Sequence, residues 1–453
     1  MKPVGEKVPA RTIAAFSMAA VPVGALTTPL LVHLPPHYAG LMGLPLTTVG
    51  AIFFAVKALD ILFDPAAGMV MDRTRTRIGR YRFWLLVSAP ILMLATWMLF
   101  SAQRGVGSAY LAVWLVVLYL GFSLLVIAQV SWGAVLATNY NERSRVYAWS
   151  HVTGTLGAIA VLVLPSLLVR EESRVVPLMG LLIVAAIPLA CLIVARGVPE
   201  PVTPPRPNGD RVAWGDIPGL VVRPTMWRLL AADLLFTLGP AITSPLYLFF
   251  AMQARGYTLG EANVLLLIFT VAGVFSAPLW AAISFRFGKH RTLMAAAAAY
   301  SIIQAVVVFI PAKSFFVLAP AMFVAGGILA ALGFLIRSMI ADVGDEVRLE
   351  TGKDRIGLLY AMITSTAKVG TASAVVVAYP LLQALGFDPA PGATNTPGAL
   401  KGLVLIYSVG PVLLVMAGAL VVTGYSLTRE RHAGIRRQLD ALDAAAAARP
   451  VVS

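Results

Sequence analysis

Twelve long apolar runs dominate the sequence, and each has about the length that an α-helix needs to cross a bilayer. Because a backbone surrounded by lipid must satisfy its own hydrogen bonds, we expect all twelve to be helices. Only 12% of the 453 residues are charged, about half the share of an ordinary soluble domain. The pattern therefore indicates an all-α integral membrane protein. The expected spans are 12–35, 46–72, 81–101, 109–137, 146–170, 175–197, 226–252, 260–285, 291–311, 313–341, 356–386 and 400–427.

The basic residues lie mainly on one side of the expected membrane. With the N-terminus inside, 26 of the 35 Lys and Arg fall on that side, six on the other, and three within spans, at Lys57, Arg337 and Lys368. Because cytoplasmic loops are enriched in Lys and Arg, this asymmetry predicts a multi-pass protein with both termini in the cytoplasm. It also accounts for the formal net charge of +14 without a nucleic-acid partner.

A polar, proline-rich connection divides the spans into two groups of six. We expect an N-terminal bundle over 1–197, a cytoplasmic central loop over 198–225, a C-terminal bundle over 226–427 and a cytoplasmic tail over 428–453, which is predicted to be a fraying surface helix. The halves share a weak echo, since GMVMDRTRTRIGRYR follows the second span and LWAAISFRFGKHRTL follows the eighth. Two six-helix repeats around a central cavity are typical of transporters.

The second span contains KALDILFDP, which places Lys57, Asp60 and Asp64 at positions i, i+3 and i+7 on one helical face. Ionisable groups at membrane depth are costly and usually face a bundle interior or an aqueous cavity. Two carboxylates one turn apart can share a cation or a proton, whereas a single Lys–Asp pair would only lock helices together. We favour the cation or proton site. Pro65 frees a carbonyl and permits a bend, although a packing kink explains it equally well.

Other charges within or next to the spans extend this prediction. Lys368 could neutralise the aspartate pair when no cation is bound, or form a plain structural salt bridge. Asp233 lies about two turns into the seventh span. Acids interspersed with the basic loops favour ion pairs that close the cytoplasmic side in one conformation. The predicted gating residues are Asp72, Arg73, Glu142, Arg143, Asp233, Arg337, Asp342 and Arg355.

Motifs of enzymes and pumps are missing from the sequence. It contains no HExxH, no GxSxG and no P-loop, so we expect neither an enzyme nor an ATP-driven transporter, and no cofactor. His33 and His37 flank Pro35 and Pro36 without an acidic neighbour, which favours a loop anchor over a metal site. Cys191 is the single cysteine, so neither a disulfide framework nor a cysteine metal site is expected. The N-terminus shows no cleavable signal, and the first span is expected to be retained.

The layout resembles the major facilitator superfamily. Three segments are similar to the glycoside–pentoside–hexuronide:cation symporters, which include the melibiose carrier: KALDILFDPAAGMVMDRTRTRIGRYRFW, WGAVLATNYNERSRVYAW and MIADVGDEVRLETGKDRIGLLYAMITSTAKVG. The resemblance implies a monomeric symporter of the bacterial inner membrane that moves a sugar-like or glycoside-like small molecule together with a cation. It further implies that Asp60 and Asp64 form the cation site, that Lys57 fills a basic position beside them, and that Lys368 affects both cation and substrate.

Departures from the family pattern concern the coupling cation. Sodium-using members carry an Asn where this sequence has Phe63, and a family threonine on the fourth helix falls at about Leu125 or Val126. Both changes remove oxygen ligands, which a hard cation such as Na⁺ prefers. We therefore expect coupling to H⁺ rather than Na⁺, and no bound metal.

Departures also affect the sugar site of the family. Its first-helix aspartate falls between Ala20 and Gly24, where there is no acid, and its fifth-helix arginine falls at Ser150 or His151. Aromatic and polar side chains could still bind a glycoside, although interfacial aromatics are an equally good explanation. The substrate-binding residues predicted on this basis are Gln129, Trp132, Trp149, His151 and Lys368. Two alternatives stay open: an amphipathic solute such as a lysolipid, as in distant animal relatives of the family, and a proton-driven exporter on the same fold.

Overall fold

The computed structural model describes residues 8–136, 140–169, 171–200, 217–353 and 355–447, and the regular structure in these ranges is helical. Twelve helices there are long and apolar enough to cross a membrane, which confirms the predicted number. They are α1 (Ala10–Leu41), α2 (Leu46–Arg73), α3 (Arg80–Phe100), α4 (Ser108–Leu136), α5 (Tyr140–Leu168), α6 (Val175–Gly197), α7 (Pro224–Ala254), α8 (Leu259–Phe287), α9 (Lys289–Phe309), α10 (Phe315–Thr351), α11 (Ile356–Ala384) and α12 (Pro397–Thr423). A further helix, α13 (Arg429–Ala447), follows them, and a five-residue helix, Ile217–Val221, precedes α7.

Helix α1 contains four prolines, Pro22, Pro29, Pro35 and Pro36, and ends at Leu41, six residues beyond the expected end of the first span. Its backbone widens into π-helical turns at Pro29–His33 and His37–Leu41, on either side of Leu34–Pro36. Proline lacks an N–H group and clashes with the carbonyl four residues earlier, and a π-turn is one way for a helix to continue past such a site.

Helix α10 continues ten residues past its expected end at 341 and stops at Thr351, where Gly352 adopts a left-handed conformation with φ 69°. The acidic residues Asp342, Asp345 and Glu346 therefore lie on a helix rather than in a loop. The tail helix α13 packs on this extension.

Helices α1–α6 and α7–α12 repeat the same packing. Within the first six, α1 packs on α5, α2 on α4, α3 on α4 and α3 on α6; within the second six, α7 packs on α11, α8 on α10, α9 on α10 and α9 on α12. Each pair of one half thus has its counterpart six helices later. The weak echo in the loop sequences accordingly has an equivalent in three dimensions.

The two halves meet along α2 with α11, α5 with α8, and α1 with α7. At the tight α2–α11 crossing, a Cβ atom on Gly50 would lie 3.1 Å from the carbonyl oxygen of Val375, and small residues permit such close approach. We name the ends of the bundle by their loops. The basic face carries 74–79, 198–200, 217–223, 352–353, 355 and α13; the opposite face carries 42–45, 101–107, 255–258, 310–314 and 385–396.

Candidate functional site

An ion-pair cluster joins the two halves at membrane depth. Lys368 on α11 places its ammonium nitrogen 3.4 Å from Asp60 Oδ2, and it also forms an ion pair with Asp64 Oδ2. Both aspartates lie on α2, within a helix that stays regular through Pro65. The structure thus brings together three of the four residues predicted for cation coupling.

A fourth group comes from α4. The Ser123 hydroxyl donates a hydrogen bond of 2.5 Å to Asp60 Oδ1, and both side chains are buried. Asp60 therefore has one partner from each of two neighbouring helices, α4 and α11. Sequence comparison placed the α4 oxygen at Leu125 or Val126 and concluded that it was lost. That conclusion was wrong, because a hydroxyl two or three residues earlier reaches the site.

Lys57 stands apart from the cluster. Its ammonium nitrogen lies 5.1 Å from the centroid of the Tyr119 ring, which is within the range of a cation–π contact. In the described ranges Lys57 forms no ion pair with either aspartate. The three residues share a helical face, as the spacing predicts, but the ammonium group that pairs with the aspartates comes from Lys368 of α11 and not from Lys57.

The charges of the cluster are unbalanced, and one more positive charge would neutralise them. Two carboxylates face one ammonium group, so the fully ionised set carries a net charge of −1. Asp64 Oδ1 is buried and has no hydrogen-bond partner among the described residues. A buried carboxylate oxygen without a donor is unfavourable, and a proton or a small cation at this atom would relieve the cost.

A second acidic site lies on the other side of α11. Asp233 of α7 is buried, and its Oδ2 accepts a hydrogen bond of 2.7 Å from Thr366 of α11. Asp233 also lines a cavity of about 300 Å³, which is enclosed mainly by α7, α8, α10 and α11. Helix α11 therefore connects the two sites, because Lys368 contacts α2 and Thr366 contacts α7.

Four of the predicted substrate-binding residues lie away from this cavity. Trp132 is fully buried and donates a hydrogen bond of 3.3 Å to the Pro199 carbonyl, and Gln129 is buried one turn earlier on α4. Trp149 and His151 are exposed on α5. None of the four lines the 300 Å³ cavity. Their role in substrate binding stays a prediction, and in this conformation Trp132 serves the packing of its own half.

The predicted gating residues whose side chains are described mostly contact their own half. Glu142 accepts from the Val8 backbone at 3.0 Å and pairs with Arg145 at 3.3 Å. Asp342 is paired with Lys289 at 2.7 Å. The side chains of Asp72 and Arg143 lie outside the described residues.

The four other gating candidates lie on α2, α7 and α10 and at the start of α11. Arg337 and Arg73 have exposed side chains, and the Arg337 carbonyl accepts a hydrogen bond from Tyr360; Arg355 is half-buried at the start of α11. Asp233 bonds to Thr366, again within its own half. The pairing of these residues across the basic face stays a prediction.

The acids at the end of α10 instead hold the tail helix. Arg431 of α13 pairs with Glu346 at 2.9 Å, and His432 contacts Asp345 at 2.9 Å. Arg436 pairs with Asp345 at 3.2 Å. The sequence pattern of acids among basic residues was interpreted as a gate, whereas these partners come from α13 of the same half.

Hydrogen bonds near the opposite face do cross between the halves. His33 Nε2 of α1 lies 2.9 Å from Asn263 Oδ1 of α8, and the Asn263 amide donates to Ser166 of α5 at 2.8 Å. The Thr47 backbone N–H donates to Gln383 Oε1 at 3.0 Å. His33 was expected to be a loop anchor, and it is one residue of this buried bridge.

Comparison with known proteins finds a transporter family model and relatives that are named symporters. A family model described as MFS/sugar transport protein matches residues 15–429. The inner membrane symporter YicJ of Escherichia coli is 22% identical over 432 residues, covering 90% of each chain. The putative glycoside/cation symporter YagG of the same species is 24% identical, covering 89% of this chain and 88% of YagG. Sodium-dependent lysophosphatidylcholine symporter 1-B of Danio rerio is 24% identical, covering 86% of this chain and 82% of its own.

Solved structures show the same fold at low identity. The nucleoside transporter NupG matches with a TM-score of 0.65 at 13% identity, covering 92% of this chain and 98% of NupG. A bacterial homologue of the human lysosomal transporter Spinster matches with a TM-score of 0.62 at 14% identity, covering 95% and 96%. The chain belongs to the glycoside–pentoside–hexuronide:cation symporter family of the major facilitator superfamily, and it is a membrane transporter rather than an enzyme.

Proposed function

We propose that this protein couples the movement of H⁺ to the symport of a small organic solute by alternating access. The observation that carries the proposal is the cluster of Asp60, Asp64 and Lys368, in which one ammonium group faces two carboxylates across the interface of the halves. A proton on Asp64 would weaken its attraction to Lys368. Protonation would thereby change the free energy of holding α2 against α11, which is the link that coupling needs.

H⁺ remains our choice over Na⁺ for a structural reason. Around the aspartates, α2 offers Phe63 in place of an amide, and α11 offers an ammonium group, which competes with a metal ion for the same carboxylate oxygens. Ser123 supplies one extra oxygen, but its hydroxyl group already donates a hydrogen bond to Asp60. Hard cations need several oxygen ligands at once, whereas a proton needs one.

By the positive-inside rule, we assign the basic face and both termini to the cytoplasm. The polar bridges from His33 to Asn263 and from Thr47 to Gln383 then lie on the outer side. We infer that this conformation is closed towards the outside, and that the Asp60, Asp64 and Lys368 cluster lies between the two gates. The bacterial inner membrane is the proposed location, by similarity to the E. coli symporters.

The solute is proposed to be a sugar or glycoside, as the name of YagG suggests. A second candidate, an amphipathic solute, is favoured by one observation. The 300 Å³ cavity is lined largely by apolar side chains such as Phe236, Leu266 and Phe269. Polar lining with several hydrogen-bonding groups would suit a free sugar better.

Transport in proteoliposomes tests the coupling. With an imposed pH gradient, acidic outside, solute should accumulate in the absence of Na⁺, and collapse of the gradient by a protonophore should end accumulation. A Na⁺ gradient at equal pH on both sides serves as the matched comparison. Accumulation that follows the Na⁺ gradient and ignores the pH gradient would overturn the proton assignment. Loading the same vesicles internally would distinguish an exporter from an importer.

A further inference from the structure

The 300 Å³ cavity contains an acidic group that the coupling mechanism does not use. Asp233 lines it, is only 7% exposed, and lies on α7. The coupling cluster, by contrast, involves α2, α4 and α11. Asp233 is thus a second buried carboxylate, and it lies at a cavity of the size that holds small ligands. Its role needs an explanation separate from the coupling mechanism.

The hydrogen bonding of Asp233 is incomplete. Thr366 donates to Oδ2 at 2.7 Å, and no second donor reaches the carboxylate among the described residues. Asp233 Oδ1 is not fully buried. An ionised carboxylate favours two or more donors, so Asp233 has room for a further donor that comes from the cavity.

The charges around the cavity favour a positive partner. Asp233 is the single carboxylate among the described lining residues, which include no Lys, Arg or His, and the rest of the lining is apolar or carries hydroxyl groups, including Thr237 and Thr371. Arg337 acts on Asp233 electrostatically, but its side chain is exposed and it forms no ion pair with Asp233 in the described ranges. Lys368 is engaged with α2. When Asp233 is ionised, the wall of the cavity therefore carries a negative charge that has no ion-pair partner among the described residues.

We propose that this cavity is the substrate subsite, and that it takes a small amphipathic amine whose cationic nitrogen binds Asp233 while its apolar body packs against Phe236 and Phe269. The proposal rests on the proposed function and on its second candidate, an amphipathic solute, because it names the class of solute that the symporter moves. It replaces the gating role that the sequence suggested for Asp233. Pairing with a cation satisfies a buried carboxylate better than a neutral donor does, because the charge is compensated as well as the hydrogen bond.

The position of Asp233 also explains how substrate and proton could sense each other. Thr366 and Lys368 are two residues apart on α11, one contacting Asp233 and the other contacting Asp64. A ligand that draws Asp233 towards the cavity acts on the same stretch of helix that holds the cation cluster.

Three probes of matched shape test the class of ligand on the purified full-length protein: 2-phenylethylamine, 2-phenylethanol and phenylacetate. They are respectively cationic, neutral and anionic at pH 7. Binding is measured by isothermal titration calorimetry in detergent. We expect the amine to bind at least about tenfold more tightly than the alcohol, as a charge-assisted contact implies, and phenylacetate to bind most weakly. No detectable amine binding, or equal binding of amine and alcohol, would overturn the proposal, and this comparison needs no variant.

Variants then locate the binding site. Asp233→Asn should weaken amine binding by about tenfold or more and leave the alcohol unaffected, as expected when one charge-assisted contact is removed. Asp64→Asn should keep amine binding and lose pH-driven accumulation. Amine binding that survives Asp233→Asn in protein with an unchanged unfolding temperature would place the ligand elsewhere. Failure of pH-driven transport in the unmodified protein would instead count against the coupling proposal alone.

Discussion

Lys368 on α11 forms an ion pair with Asp64 on α2, so that this salt bridge, together with the contact of Lys368 with Asp60, ties the N-terminal half of the molecule to the C-terminal half within the membrane. The Lys368 and Asp64 side chains are 28% and 27% exposed, so removing one partner leaves a partly buried charge, at a cost below the about 3–5 kcal/mol of a fully buried pair. Neutralising both partners costs far less. The effect of a substitution in this pair on coupled transport should therefore depend on which of the two charges it removes.

Asp64→Asn should abolish concentrative uptake, because the cluster then loses the carboxylate oxygen at which we place the proton. Exchange of solute across vesicles without a gradient should persist, since it does not require net proton movement. Both are measured as labelled-solute flux in proteoliposomes. Asp440→Asn, the same chemical change at an exposed tail residue, is the matched control and should transport normally. Accumulation retained by Asp64→Asn would remove this residue from the coupling mechanism.

Ser123→Ala should slow proton-driven uptake by about tenfold, because Asp60 loses a hydrogen bond to a charged group that is worth about 1.5–3 kcal/mol. Ser123→Thr keeps the hydroxyl and should retain most of the rate. Initial rates of uptake across a range of external pH provide the measurement. Ser88→Ala is the control, since Ser88 is also buried but bonds to a carbonyl of its own helix. Equal rates for Ser123→Ala and wild type would show that Ser123 does not belong to the site.

A cross-link at the opposite face should stop transport. Thr47 and Gln383 are in hydrogen-bond contact between α2 and α11, so cysteines at both positions can be joined by a short bifunctional thiol reagent. Locking this face closed should block uptake and leave the fold intact. Each single-cysteine variant should stay active after the same treatment, and the buried native Cys191 should not react. Undiminished uptake after complete cross-linking would contradict closure at this face.

Arg431→Ala should lower thermal stability. Glu346 is buried and would keep only its hydrogen bond from Thr225 after the loss of Arg431. Because Arg431 is half exposed, we expect a modest cost of about 1 kcal/mol. The unfolding temperature of purified protein in detergent is the measurement. Arg437→Ala provides the comparison, since Arg437 bonds to a carbonyl within α13, and an equal effect of the two variants would show that α13 gains nothing from its contact with α10.

The sequence predicted the helices well because membrane spans have a strong and local signal. Asp60 and Asp64 could be assigned to one face of α2 from helical periodicity, and Lys368 could be joined to them through family resemblance. Ser123 could not be found in this way. The rotation of α4 about its own axis decides which residue meets Asp60, and packing against neighbouring helices sets that rotation.

The boundaries that the sequence misplaced have physical reasons too. Helix α10 extends to Thr351 because its acids find partners on α13, a contact between segments far apart in the chain. Helix α1 passes Pro35 and Pro36 because π-turns on either side accommodate them. Neither effect can be read from local propensity, since proline and charge ordinarily mark the end of an apolar helix.

The repeated packing of the halves makes the α2–α11 and α5–α8 interfaces equivalent in topology but not in chemistry. One has an ion-pair cluster, and the other has a neutral hydrogen bond from Asn263 to Ser166. A change of protonation therefore alters the interactions at the α2–α11 interface and leaves those at the α5–α8 interface unchanged. We expect an asymmetric motion, in which the two halves separate first along α2 and α11 and rotate about the contact between α5 and α8.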